Sequence, residues 1–190
     1  AAEMGMVYFD VSGGDPLMLE RSFLVNALSY ASRKGFEVSL STNGALLDAE
    51  CAEILAGAGL HKVKFSLHGT TAAAHDAFTG APGSFAKTLR AIEASKKAGI
   101  EVWVNAVVTP QNLMSWRDLP VLLGQDKVDL AQVSSVVPTG RGEHNSSLVF
   151  SKNQFAQAIA CARKSFAPLP HVFTITFFPD PKNPPFGDRY

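Results

Sequence analysis

Lys62 to Val108 reads KVKFSLHGTTAAAHDAFTGAPGSFAKTLRAIEASKKAGIEVWVNAVV. KVKFSL (62–67) is a short apolar run that predicts a strand. Phe85, Leu89 and Ile92 then recur at the spacing of an amphipathic helix, and Gly99 stands where a left-handed C-cap is expected. EVWVNAVV (101–108) is a second strand. A strand, a helix and a strand with short connections force the two strands to lie parallel, joined by a right-handed crossover.

The same rhythm extends in both directions. Strands are predicted at 6–11 (MVYFDV), 36–41 (FEVSLS), 130–137 (LAQVSSVV) and 171–178 (HVFTITFF). Leu24, Ala27, Leu28 and Ala31 form one helical stripe. Phe155, Ile159, Ala162 and Phe166 form another, behind a capping box with Ser151 as N-cap and Gln154 at N3. Gly35 and Gly59 separate helix from strand as Gly99 does. The fold class is α/β with a parallel sheet. Residues 140–150 read as a polar loop. The tail 179–190, with four prolines in PDPKNPPFGDRY, is expected to lack regular structure.

The chain has 190 residues, 46% of them hydrophobic, which describes one soluble domain with a continuous core. Lysine plus arginine number 17 and aspartate plus glutamate 17, so no basic excess points to nucleic acid or an anionic membrane. No apolar run is long enough to span a bilayer, and AAEMGM does not read as a secretory signal. Cys51 and Cys161 lie far apart, each in a predicted helix among alanines, in keeping with a reducing cytoplasm. Neither belongs to a CxxC cluster, and no metal site is readable.

In parallel βα folds ligands bind at the carboxyl ends of strands. The first strand ends in SGGDP, the second in STNG (41–44), the third in SLHG (66–69) and the fifth in VVPTGRG (136–142), while the fourth carries Asn105. Each has a plain structural reading beside a functional one. Asp15 and Pro16 start a helix as N-cap and first residue, but Gly13 and Gly14 also let a ligand lie close to the backbone. Thr42, Asn43 and Gly44 make a turn. Ser66 can bond backbone, and His68 is either a turn histidine or a base. Asn105, in a strand expected to be covered on both faces, must find partners or cost about 1–3 kcal/mol. Arg141 holds an anion or is solvated. Neutral hydrogen-bonding groups with one carboxylate, Asp15, suit a ligand with an amine, a ribose and a flat base.

These residues resemble the radical S-adenosylmethionine (SAM) enzymes, from about Val7 to Gly142. SGGDP is similar to their GGEP motif. LSTNG, VVPTGRG and the long segment from Val63 to Asn112 are similar to members with a C-terminal SPASM or twitch extension. The resemblance implies a partial TIM-type (β/α)6 barrel with its first strand missing. Residues 1–150 would be the core barrel, 151–178 a final helix and strand, and 179–190 a tail leading to an absent extension. It implies that Gly13, Gly14, Asp15 and Pro16 hold the methionine amine. Ser66 would contact the carboxylate or ribose and Asn105 the ribose. Val107 and Pro138 would flank the adenine, with Thr42 and Asn43 lining the cavity. Asp15 stands where the family has glutamate, and Thr79 where many relatives have arginine.

The family's CxxxCxxC, which binds a four-iron cluster through three thiolates, is absent. The expectation is therefore a fragment, inactive alone, of a cytoplasmic enzyme. That enzyme cleaves SAM reductively to a 5′-deoxyadenosyl radical, takes electrons from a donor protein and matures a peptide or a haem-type cofactor, with a peptide favoured. A cluster-less module that binds SAM or a peptide is the alternative. A Schiff-base βα-barrel lyase using Lys62 or Lys64 is a third reading.

Overall fold

The computed structural model describes residues 7–136, 145–151 and 173–176, with separate helical positions between 153 and 164. Six strands, β1 (Tyr8–Val11), β2 (Glu37–Thr42), β3 (Leu60–Ser66), β4 (Glu101–Val108), β5 (Leu130–Ser135) and β6 (Phe173–Thr176), form one sheet in the order of the sequence. Every pairing is parallel. Helices α1 (Arg21–Arg33), α2 (Ala49–Gly57), α3 (Ala72–Thr79), α4 (Ser84–Lys97) and α5 (Leu119–Lys127) lie between the first five strands.

Serial right-handed crossovers place every helix on the same side of the sheet, the arrangement of a partial TIM-type barrel. The core lies between sheet and helices. Val38, Leu40, Val63, Phe65, Val102, Val104 and Ala131 from the strands are fully buried with Leu28 of α1 and Ala91 of α4. The period of two then sends Ser41, Lys64, Ser66, Trp103, Asn105 and Gln132 to the opposite, concave face. None of these six is fully buried, and Asn105 is exposed. Among the described residues the sheet is covered by helices on one face, so Asn105 lies on the open face rather than in a strand covered on both sides.

Strand boundaries follow the apolar runs, and β4 spans 101–108 as expected. Gly35, Gly59 and Gly99 have φ of +82°, +89° and +77°. Ser151 and Gln154 form the capping box, with Ser151 N–H donating to Gln154 Oε1 at 3.0 Å. Phe155, Ile159, Ala162 and Phe166 lie outside the described residues, as does Cys161. Cys51 is a buried free thiol in α2, and burial pushes its pKa up. No described helix is long and apolar enough to cross a membrane.

Two elements differ from expectation. Asp15 and Pro16 begin only the three-residue 3-10 turn Pro16–Met18. Helix α1 starts at Arg21 because Glu20 caps it, accepting from Ser22 N–H and Phe23 N–H at 3.0 Å each. Between β3 and β4 the chain forms two helices rather than one. Thr71 caps α3 by accepting from Ala74 N–H at 3.2 Å, and Gly80 ends it at φ +67°. The octad AAAHDAFT carries no leucine stripe, and His75 is its one fully buried residue.

Candidate active site

The turn after β1 is an open backbone cradle. Gly13 has φ +124°, where side-chain-bearing residues are rarely found. A Cβ at Gly13 or Gly14 would meet no atom within 4 Å, so the backbone there faces free space. Asp15 is not free. Its carboxylate accepts from Leu17 N–H at 3.1 Å, from Thr42 Oγ1 at 2.9 and 2.8 Å, and from Asn43 N–H at 3.0 Å. These bonds pin the glycine turn to the end of β2, with Pro16 buried beneath.

Beyond the pin, Thr42 Oγ1 accepts from Gly44 N–H at 3.0 Å, and the Asn43 carbonyl accepts from Thr88 Oγ1 of α4 at 2.8 Å. Gly44 has φ +79°, and a Cβ there would stand 3.0 Å from Ala91 and 3.1 Å from the Phe65 ring. The TNG segment is therefore a packed turn, with Thr42 buried and Asn43 exposed.

Ser66 and Asn105 are register partners on β3 and β4. Neither the Ser66 hydroxyl nor the Asn105 amide hydrogen-bonds a described residue. They line a cavity of about 80 Å³ with Ser41, Lys64, Trp103 and Gln132. That volume holds about two or three waters; it is the foot of the concave face rather than an enclosed nucleoside pocket. A larger groove of about 570 Å³ runs between Gly44–Ala49 and α4 and contains none of the expected site residues.

His68 is a half-buried acceptor in the turn after β3. Its Nδ1 accepts from Val107 N–H at 3.3 Å, and its own backbone N–H donates to His75 Nδ1 at 3.0 Å. The ring lies 4.5 Å from the Phe78 ring. Burial, then the neighbouring His75, pushes His68 down to about 4 from the ordinary 6.5. Held neutral, it keeps the lone pair that Val107 N–H requires. Asn112 completes the arrangement, donating from Nδ2 to the carbonyls of His68 (3.1 Å) and Val107 (2.9 Å). The sequence reading missed Asn112, whose signal is an amide just past the strand in TPQN. Thr79 Oγ1 donates back to the His75 carbonyl at 3.0 Å. Pro138 and Arg141 lie outside the described residues.

Lys62 and Lys64 sit below the rim and both are paired. Lys64 Nζ lies 3.0 Å from Asp10, and Lys62 Nζ lies 2.9 Å from Glu37. Burial opposes the charge on Lys62, but Glu37 and Glu101 outweigh it and leave its pKa raised. A Schiff-base lysine needs the opposite shift.

The model of the Radical SAM superfamily matches residues 1–119. An AdoMet-dependent heme synthase of Nitratidesulfovibrio vulgaris is 34% identical over 148 residues, which cover 78% of this chain and 40% of that protein. A PqqA peptide cyclase of Streptomyces rochei is 40% identical over 134 residues, 69% of this chain and 36% of that protein. The chain thus spans well under half the length of these relatives. Among solved structures, Streptococcus suis SuiB bound to the precursor peptide SuiA matches with a TM-score of 0.71 at 15% identity, covering 89% of this chain and 37% of SuiB. anSMEcpe with bound AdoMet and a Cp18Cys peptide matches with a TM-score of 0.71 at 20% identity, covering 90% of this chain and 50% of that one.

Proposed function

The chain belongs to the radical SAM superfamily, and from that premise we propose that its strand ends hold S-adenosylmethionine for radical maturation of a peptide. The carbonyls of Gly13 and Gly14 accept from the methionine amine. Asp15 acts at one remove, keeping the turn against Thr42 and Asn43 while Pro16 anchors it from below. Ser66 meets the methionine carboxylate or ribose and Asn105 the ribose. Val107 and Pro138 flank the adenine. The observation that carries the reading is the pair Ser66 and Asn105, adjacent across β3 and β4, neither side chain hydrogen-bonded to a described residue.

SAM supplies, on reductive cleavage of its carbon–sulfur bond, a carbon radical that takes hydrogen from the substrate. The four-iron cluster that drives such cleavage requires three thiolates. This chain has two cysteines, and Cys51 is buried in α2 with its pKa raised, so the residues present do not fit a cluster. Radical chemistry therefore needs ligands, and an electron-donor protein, from outside these 190 residues. The open polar face between the strand ends favours an extended peptide substrate. The heme synthase relatives support a second reading, a haem-type precursor on the same face.

Calorimetric titration with S-adenosylhomocysteine, which shares the amine, ribose and adenine, tests the site. The expected outcome is binding that Asn105→Ala weakens about tenfold, or ~1.4 kcal/mol, with no change in melting temperature. Absence of binding to the unsubstituted chain, or full affinity in Asn105→Ala, would sink the assignment. Binding without any turnover after cluster-bearing residues are supplied would favour the non-catalytic module.

A further inference from the structure

We propose that Glu37, His61 and Glu101, at the N-terminal ends of β2, β3 and β4, form a divalent transition-metal site of the zinc type. It would strap three neighbouring strands together at the end of the sheet opposite the glycine turn. The three donor atoms lie within 4.8 Å of one another. His61 Nε2 is 3.3 Å from Glu101 Oε2 and 3.9 Å from Glu37 Oε1. An ion about 2.1 Å from each ligand needs tetrahedral donors about 3.4 Å apart, so small side-chain adjustments suffice.

The backbone is built to bring them together. Val38 pairs with Leu60, but Ser39 pairs with Lys62, which leaves His61 as the extra residue of a bulge. Bulges re-aim side chains, and this one delivers His61 to the carboxylates of both flanking strands. Trp103 Nε1 donates to Glu101 Oε1 at 2.6 Å, which orients that carboxylate and leaves Oε2 facing the imidazole. Such an outer hydrogen bond is how ligating carboxylates are commonly held. All three side chains are partly exposed, so an ion can reach them from solvent. One imidazole with two carboxylates suits Zn²⁺ and its neighbours better than the all-oxygen preference of Mg²⁺ or Ca²⁺.

Lys62 is the competing cation. Its Nζ stands 2.9 Å from Glu37 and 3.8 Å from Glu101, and 4.2 Å from the Trp103 ring centroid. An arriving ion displaces the ammonium from the carboxylates, and the indole face offers it a place to stay. Metal and ammonium therefore compete for the same two charges.

The test is calorimetric titration of the full chain with zinc chloride at neutral pH. One ion per chain is expected. Glu37→Gln, His61→Ala and Glu101→Gln should each weaken binding at least tenfold, while Lys62→Met should tighten it several-fold. A simple ion-pair cluster makes the opposite forecast for Lys62→Met, which would then gain nothing for zinc. No uptake by the unsubstituted chain, an unchanged affinity in either glutamine variant, or no tightening in Lys62→Met overturns the proposal. None of these readouts depends on S-adenosylmethionine.

Discussion

His68 couples a protonation state to the position of β4. Its imidazole is about 4 in the folded protein against 6.5 free, because burial and then His75 disfavour the charge. The unfolded chain therefore binds the extra proton first as pH falls. Stability is full above pH 6.5 and declines toward pH 4, a total of about 3 kcal/mol if the proton is taken up only on unfolding. The pKa of His75 is lowered by burial too and adds in the same direction. Urea denaturation at pH 7.5 and pH 5 should show about 2 kcal/mol of that loss, and His68→Asn should flatten it. An unchanged pH slope in that variant would show that His68 is not the group responsible. The sequence placed His68 in a strand-end turn, yet its partial burial could not be read there. The burial comes partly from Phe78 on α3, a helix whose alanine-rich octad has no apolar stripe to announce it. Asn105 poses the converse difficulty, because one polar residue among valines looks the same whether one face or both are covered.

At the scale of elements, the turn after β1 and the end of β2 behave as one piece. Asp15 joins them by accepting from Leu17, Thr42 and Asn43. Bonds to a charged acceptor are each worth about 1.5–3 kcal/mol and overlap when they share one carboxylate. Asp15→Ala should therefore cost about 3 kcal/mol, and Asp15→Asn about half of that, since an amide oxygen still accepts from Thr42. Equal melting temperatures for all three proteins would dismiss the latch. Strand positions were legible because a parallel strand is a short apolar run bounded by turn residues, as EVWVNAVV shows. The start of α1 was not, because Asp15 and Glu20 both precede residues able to open a helix. Only the three-dimensional demand of Thr42 and Asn43 on Asp15 decides between them.

On the scale of the whole molecule, β1 forms one margin of the sheet among the described residues. Among the described residues β1 pairs only with β2. Val7 and Tyr8 are 56% and 65% exposed there. An apolar edge that no described strand pairs recruits other strands. The 190-residue chain should self-associate at micromolar concentration, and replacing Val7 and Tyr8 with lysine should reduce it. Sedimentation velocity on the two proteins decides; identical profiles would mean that this margin is not the contact. The order of the strands reaches into the history of the chain as well. Among the described residues each strand pairs only with those before and after it in sequence, so each strand from β2 onward emerges from the ribosome to meet a partner that has already been made. A sheet of this kind can lengthen one margin at a time during synthesis, without waiting for a distant strand to arrive.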